Sequence, residues 1–343
     1  MPRAHWPWCT WRGAWANCAE MSAPPDSAPG VHPALYLGWH VLPWEDLLAI
    51  VRHAEQLGYA AAHVDGDVSM LTARQDAECL DGWTVTTALL ASTQRIGIGS
   101  LRIVHHWNAA RLAQAAATAE RIAPGRLRFG ISIGDWAVDA RFGLRVPTAA
   151  ERVDWLDETL DAVRALWRGE TVTRSGPHVC LDRARVRPIP PGGRIRISVA
   201  GRRPRMLGVV ARHADVWDVN LPPLAGRVTA AAERLAQACA DCGRDPGEIE
   251  RSMLLFTRVG VAPEAALGEY RRLNPWFGEI PDSEASRALI VGEPARCRER
   301  IRELSAELGL RHPILDLSGL GATPARRLLD LLGPANNLVD AGT

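Results

Sequence analysis

Between Pro33 and Leu332 the chain alternates short, β-branched runs with amphipathic helical runs, and that alternation narrows the fold more than any other feature. Strands are predicted at 34–40, 60–65, 95–104 and 126–133, then at 194–200, 216–220, 252–261 and 313–318. Each is followed by a predicted helix, at 44–57, 82–92, 108–122 and 149–167, then at 204–213, 225–242, 294–308 and 323–332. Apolar residues in the helices recur at three-four spacing, as in Leu47, Leu48, Val51, Ala54 and Leu57. Eight β-then-α units over about 300 residues is the count and size of a (β/α)8 TIM barrel, with insertions in its loops. The competing fold, a doubly wound open sheet, would usually carry a glycine-rich phosphate loop after its first strand. His40-Val41-Leu42-Pro43 is not one.

Residues 134–148 and 169–193 are too long for ordinary connections, and 267–289 reads as an insertion after the seventh strand. Long βα loops are where a barrel gathers function, so both of the first two stretches are expected there. Residues 31–343 are expected to form one domain. Residues 1–30 are a different text, with Trp6, Trp8, Trp11 and Trp15 followed by a Ser/Pro/Ala-rich stretch. They lack the apolar segment of a secretory leader and read as an unstructured extension, or as a start placed upstream of a true Met21.

With 47% apolar and 23% charged residues, a packed core is expected and wholesale disorder is excluded. The 40 basic and 39 acidic residues nearly cancel, which leaves no electrostatic footprint for nucleic acid. No run of apolar residues is long enough to span a bilayer. Every basic residue is arginine, a coding bias and no functional signal. The seven cysteines form no disulfide framework, and the one C-x-x-C, Cys239 with Cys242, lies in a helical run without further ligands. No metal is expected, and a reducing cytoplasmic location is the default.

Three stretches carry a resemblance. One runs from Trp83 to Ser100, and a second from Leu112 to Gly134. The third begins with Glu151-Arg-Val-Asp-Trp and Leu166-Trp-Arg-Gly-Glu170 and continues through Ser198-Val-Ala-Gly-Arg-Arg-Pro-Arg205 to Ala211-Arg-His-Ala-Asp-Val-Trp217. Gly243-Arg-Asp-Pro246 and Gly292-Glu-Pro294 follow in order. Together they resemble the bacterial luciferase-like monooxygenase superfamily of FMN- and coenzyme F420-dependent (β/α)8 oxidoreductases, in collinear order over residues 34–335.

The resemblance implies that a flavin or deazaflavin ring lies at the C-terminal mouth of the barrel. It implies a non-prolyl cis peptide near Leu101-Arg102, just past Ser100, propping the ring. Ser132, Ile133 and Gly134 would stand at the ring edge. Luciferases have arginine where Ile133 stands, so a strict luciferase-type FMN site is weakened. Ala200-Gly201-Arg202-Arg203 would hold the cofactor phosphate, with Pro204 well placed to open a helix whose N–H groups attract anions. A solvated basic turn is the plainer reading of the same arginines. Coenzyme F420, with its phosphodiester and acidic tail, suits them better than FMN.

One departure stands out. Asp67 occupies the place of the family's usual catalytic histidine, and Gly66 replaces an acid. A carboxyl can act as general acid if burial raises its pKa. His40, His105 and His106 are further candidates for proton transfer, and Trp39, Trp107 and Trp136 for pocket lining. The activity implied is hydride transfer from reduced F420 to a small-molecule or natural-product acceptor. The FMN alternative uses dioxygen and a partner flavin reductase. A non-catalytic flavin-binding paralogue is the third reading, motivated by the missing histidine. Nothing in the residues decides the assembly; a homodimer is one option.

Overall fold

The computed structural model of the chain describes residues 30–38, 42–64, 66, 80–134, 142–274 and 280–334. The first four units are β1 (Ala34–Leu37) and α1 (Trp44–Gln56), β2 (Ala61–Val64) and α2 (Gly82–Ser92), β3 (Gly97–Ile103) and α3 (Ala109–Ile122), and β4 (Leu127–Ser132) and α4 (Ala149–Trp167). A hairpin follows, β5 (Val172–Ser175) and β6 (Cys180–Ala184). Next come β7 (Ile197–Ala200) and α5 (Pro204–His213), β8 (Val216–Asp218) and α6 (Ala225–Asp241), and β9 (Glu250–Val259). The chain then forms α7 (Pro263–Leu273), α8 (Asp282–Arg287), β10 (Ile290–Gly292), α9 (Pro294–Leu308), β11 (His312–Asp316) and α10 (Ala322–Leu332).

Strands β1, β2, β3, β4, β7, β8, β9 and β11 pair in that order, all parallel, and β11 returns to β1. The sheet therefore closes into the expected (β/α)8 barrel. Helices pack outside with the three-four faces that the sequence displays, for instance Leu47, Ile50, Val51 and Ala54 of α1 and Ala325, Leu328, Leu329 and Leu332 of α10. Each fully buried Leu, Ile or Val among them contributes about 1.5–3 kcal/mol.

Two expectations about the connections fare differently. The insertion after the seventh barrel strand is present as α7, α8 and β10, beginning a few residues earlier than predicted. Residues 169–193 are not a βα loop. They leave the C-terminus of α4 and form the β5–β6 hairpin, whose turn is held against α4 by Glu158, an acceptor for the backbone N–H groups of His178 and Val179. Chain length shows that a connection is long; which end of the barrel it serves depends on counting the element before it.

Strand alternation sends one set of residues inward. Ala34, Ala61 and Ile314 share an interior cluster with Tyr36 and Leu254, and the register carries that face around the barrel. Much of the interior is polar. His63 and Arg128 occupy the middle, and Gly99 makes room for them: a Cβ there would meet the Arg128 carbonyl at 2.7 Å and His63 Nδ1 at 2.8 Å. Burial first, then the charges of Arg128 and His312, push the His63 pKa down to about 3, so its imidazole stays neutral.

At the N-terminal end Glu250 accepts from Arg196 (2.5 Å), pairs with Arg311 (3.0 Å) and bonds His312 (2.7 Å), whose ring packs near His32. Burial alone would raise the Glu250 pKa, but His312 and Arg196 outweigh it and bring it down to about 2. A depressed folded value means stability that is fully present above the unfolded value of 4.5 and lost as pH falls through about 2. Glu250→Gln is expected to cost about 2 kcal/mol at neutral pH, in the range of hydrogen bonds to charged groups. The loss of stability between pH 4.5 and 2 should become shallower in urea titrations, and an unchanged slope would refute it.

Candidate active site

The inward set reaches the C-terminal mouth as Tyr36, Leu101, Ser132, Ala200, Asp218, Phe256 and Asp316, on seven different strands. Two carboxyls among them differ in setting. Asp316 is 2% exposed; burial raises its pKa, against hydrogen bonds from Ser318 that lower it. Arg258 ties the strand ends there, donating to the Asp316 carbonyl (2.8 Å) and the Ser318 carbonyl (2.6 Å) while pairing with Glu269 of α7 (2.9 Å). Asp218 is half-buried, reached by solvent yet surrounded by protein, and burial raises its pKa to about 6. Its carboxyl makes no hydrogen bond or ion pair with any other described residue.

Beside Asp218 the chain turns from β7 into α5. Ala200 and Asp218 are register partners, and the Gly201 N–H donates to the Asp218 carbonyl (3.3 Å). Trp217, wholly buried on the outward face of β8, donates its indole N–H to the Gly201 carbonyl (2.7 Å). A Cβ on Gly201 would meet Met206 at 2.9 Å, so glycine lets the turn sit flush on the helix. Arg202 donates to the Asn220 carbonyl (3.3 Å), Arg203 is exposed, and Arg205 pairs with Asp154 of α4 (2.5 Å). No side chain caps the start of α5, and Pro204 is its first residue. The first-turn N–H groups and Arg203 are thus available to an anion.

On the other side of β7, the neighbouring strand β4 ends at Ser132 and is followed by Ile133 and Gly134. Arg152, 8% exposed on α4, donates to the carbonyls of Ile133 (3.2 Å) and Gly134 (2.7 Å). Its helix start is fixed by a capping box between Thr148 and Glu151. Gly134 has φ +64°, and a Cβ there would meet Ile103 at 2.8 Å.

The other sequence-predicted residues are dispersed. Leu101 faces the barrel axis, while Ser100 and Arg102 point outward. Ser100 bonds Thr86 of α2 (2.8 Å) and accepts from Arg102 (2.7 Å), whose guanidinium lies by the rings of Trp83 and Trp107. The Leu101–Arg102 peptide is trans; among the described residues the one cis bond is Arg187–Pro188. That corrects the expectation of a cis peptide there: β3 continues its regular register with β4 through Ile103. His105 and His106 line a 300 Å³ cavity with Trp107, Trp155 and His178, between the end of β3 and the hairpin. His40 and Asp67, with Trp39 and Trp136, lie outside the described residues. Cys239 is buried and Cys242 exposed, and no metal-ligating group of three occurs among the described residues. Nor is any described helix long and apolar enough to cross a membrane.

Sequence reading missed Asp218, Arg152 and Arg258. The signal for Asp218 was a charged residue two positions after Val216, on the inward parity of a short strand end.

Comparison with known proteins adds the following. The profile of the luciferase-like monooxygenase family matches residues 21–278. A phthiodiolone/phenolphthiodiolone dimycocerosates ketoreductase of Mycobacterium tuberculosis is 33% identical over 279 residues, 79% of this chain. The match spans 65% of that ketoreductase's own length. An F420-dependent glucose-6-phosphate dehydrogenase of Nakamurella multipartita is 27% identical over 260 residues, 68% of this chain and 75% of the relative. Among solved structures, an F420-dependent secondary alcohol dehydrogenase in complex with an F420-acetone adduct superposes with a TM-score of 0.74 at 18% identity, covering 88% of this chain and 99% of that one.

Proposed function

This chain belongs to the luciferase-like monooxygenase family, and from that premise we propose that it is an oxidoreductase using reduced coenzyme F420 to reduce the carbonyl group of a small-molecule ketone. The observation that carries the reading is the uncapped start of α5 beside Gly201, Arg202 and Arg203, next to the end of the adjoining strand β4 at Ser132. Two sequence relatives, one named a ketoreductase and one named F420-dependent, support the same chemistry. When bound, the reduced deazaflavin supplies hydride from C5.

The chain's own residues fit such a group. The α5 N–H groups, Arg202 and Arg203 would hold its phosphate, and Gly201 and Gly134 let their turns pack flush on Met206 and Ile103 beside it. Arg152 fixes the β4 end against which the ring edge would rest. Leu101, half-buried and facing the axis, gives that end of the barrel an apolar surface.

The test is titration of the purified chain with F420 and with FMN, followed by absorbance and fluorescence, then assay of reduced F420 with ketones. F420 should bind and FMN should not compete. Arg202→Ala with Arg203→Ala should weaken F420 binding by about 1–3 kcal/mol per charge-assisted contact. Unchanged affinity in the double variant would return the cluster to a solvated turn. Preferential binding of FMN, with reduction of dioxygen in the presence of a flavin reductase, would replace this reading by monooxygenation.

A further inference from the structure

We propose that Asp218 is the proton donor of the reaction: its carboxyl faces the barrel axis at the end of the sixth barrel strand, beside the Ala200–Gly201 turn, reached by solvent and bonded to no other described residue. This rests on the ketone-reductase reading above and names the group that completes it.

Reduction of a ketone needs two deliveries. A C–H bond forms as hydride arrives at the carbonyl carbon, the C=O π pair moves to oxygen, and that oxygen must take a proton. The hydride and its electron pair would come from the C5–H bond of a bound reduced deazaflavin, which would be oxidised as the ketone is reduced. Asp218, hydrogen-bonded through its acid O–H to the carbonyl oxygen, gives up the proton and becomes a carboxylate. It regains a proton from solvent through the mouth.

The alternatives within the barrel are worse placed. His63 lies beneath the mouth, where burial keeps its imidazole in the neutral form. Asp316 is sealed from solvent and engaged by Ser318. His105 and His106 line the outer cavity beside Trp155 and His178. Among the described residues, Asp218 alone combines inward direction, solvent contact and an unengaged carboxyl. Its surroundings also suit an acid. The inward neighbours are Ser198 and Ala200 on β7 and Ser252 and Leu254 on β9, none of them ionisable. The nearest charged side chain on the adjoining turn, Arg202, is directed to the Asn220 carbonyl. Burial without a counter-charge therefore holds a fraction of Asp218 protonated near neutral pH.

The experiment uses the full chain and the Asp218→Asn variant. Carboxyl 13C NMR of aspartate-labelled protein without cofactor should show one resonance titrating near pH 6 that is absent from the variant. With F420 and a ketone, Asp218→Asn should lower kcat by about 10²–10⁴-fold, the range for loss of a general acid. F420 affinity should stay within about twofold, and the decline of wild-type kcat above neutral pH should flatten. A carboxyl titrating near 4, or turnover by the variant within about threefold of wild type, overturns the assignment. So does persistence of the alkaline decline in Asp218→Asn together with its removal by Asp67→Asn or His40→Asn. Absence of F420 binding by the wild-type chain sinks the underlying cofactor reading instead, and the two failures are told apart by the binding titration alone.

Discussion

Arg258→Ala is expected to lower the stability of the fold by about 3–5 kcal/mol, the cost of removing one partner of a buried ion pair. Arg258 is 2% exposed and sits 4.2 Å over the Phe256 ring. Its guanidinium donates to Glu269 of α7 and to the carbonyls of Thr257, Asp316 and Ser318. One side chain thus ties the seventh strand, the eighth strand and the insertion between them. Alanine leaves three carbonyls without their donor and a carboxylate that is mostly buried. Arg258→Lys should recover only part of the loss, because an ammonium cannot reproduce the planar fork. Arg258→Met with Glu269→Leu should recover most of it, since a buried ion pair replaced by apolar residues is often neutral. Urea denaturation of the three variants checks this. A loss below about 1 kcal/mol for Arg258→Ala would show that the pair is solvated in solution.

The second large effect belongs to Trp217. Trp217→Ala is expected to cost about 3–5 kcal/mol, as deletion of a fully buried indole does. Trp217→Phe separates packing from hydrogen bonding. It keeps most of the volume under α5 and removes the donor to the Gly201 carbonyl, at a cost of about 1–3 kcal/mol for a buried acceptor left unmet. Because that carbonyl belongs to the turn proposed to hold the cofactor, the phenylalanine variant should weaken F420 binding more than its stability loss explains. Equal affinity in the folded Trp217→Phe protein would uncouple the indole from the turn.

The fold was legible because its determinants are local. Strand β7 reads as Ile197-Ser-Val-Ala200 and α5 opens at Pro204, so strand propensity and the proline start signal agree with the closed barrel. The family phrases lie in the same segments. The inward acid was not legible. Asp218 and Asp215 look alike in sequence, yet Asp215 is spent on Arg164, Arg194 and the Ile197 N–H at the opposite end of the strand. Only the pleat and the neighbouring register separate an acid that braces the barrel from one left unengaged at the mouth. For the same reason Ser100 and Arg102 were grouped with Leu101 as cofactor residues. Adjacent residues on a strand face opposite ways, and a contiguous motif hides that.

The charged floor has a consequence for traffic. Among the described residues, Glu250, Arg196, Arg311 and His312 tie together the N-terminal end, which favours the mouth as the way in and out. A corridor entered from one end imposes a sequence: whatever lies deeper enters first and departs last. Steady-state kinetics with two substrates should therefore show compulsory-order addition. Product inhibition should be competitive against the leading ligand only, and a dead-end analogue of the trailing ligand should trap the leading one inside.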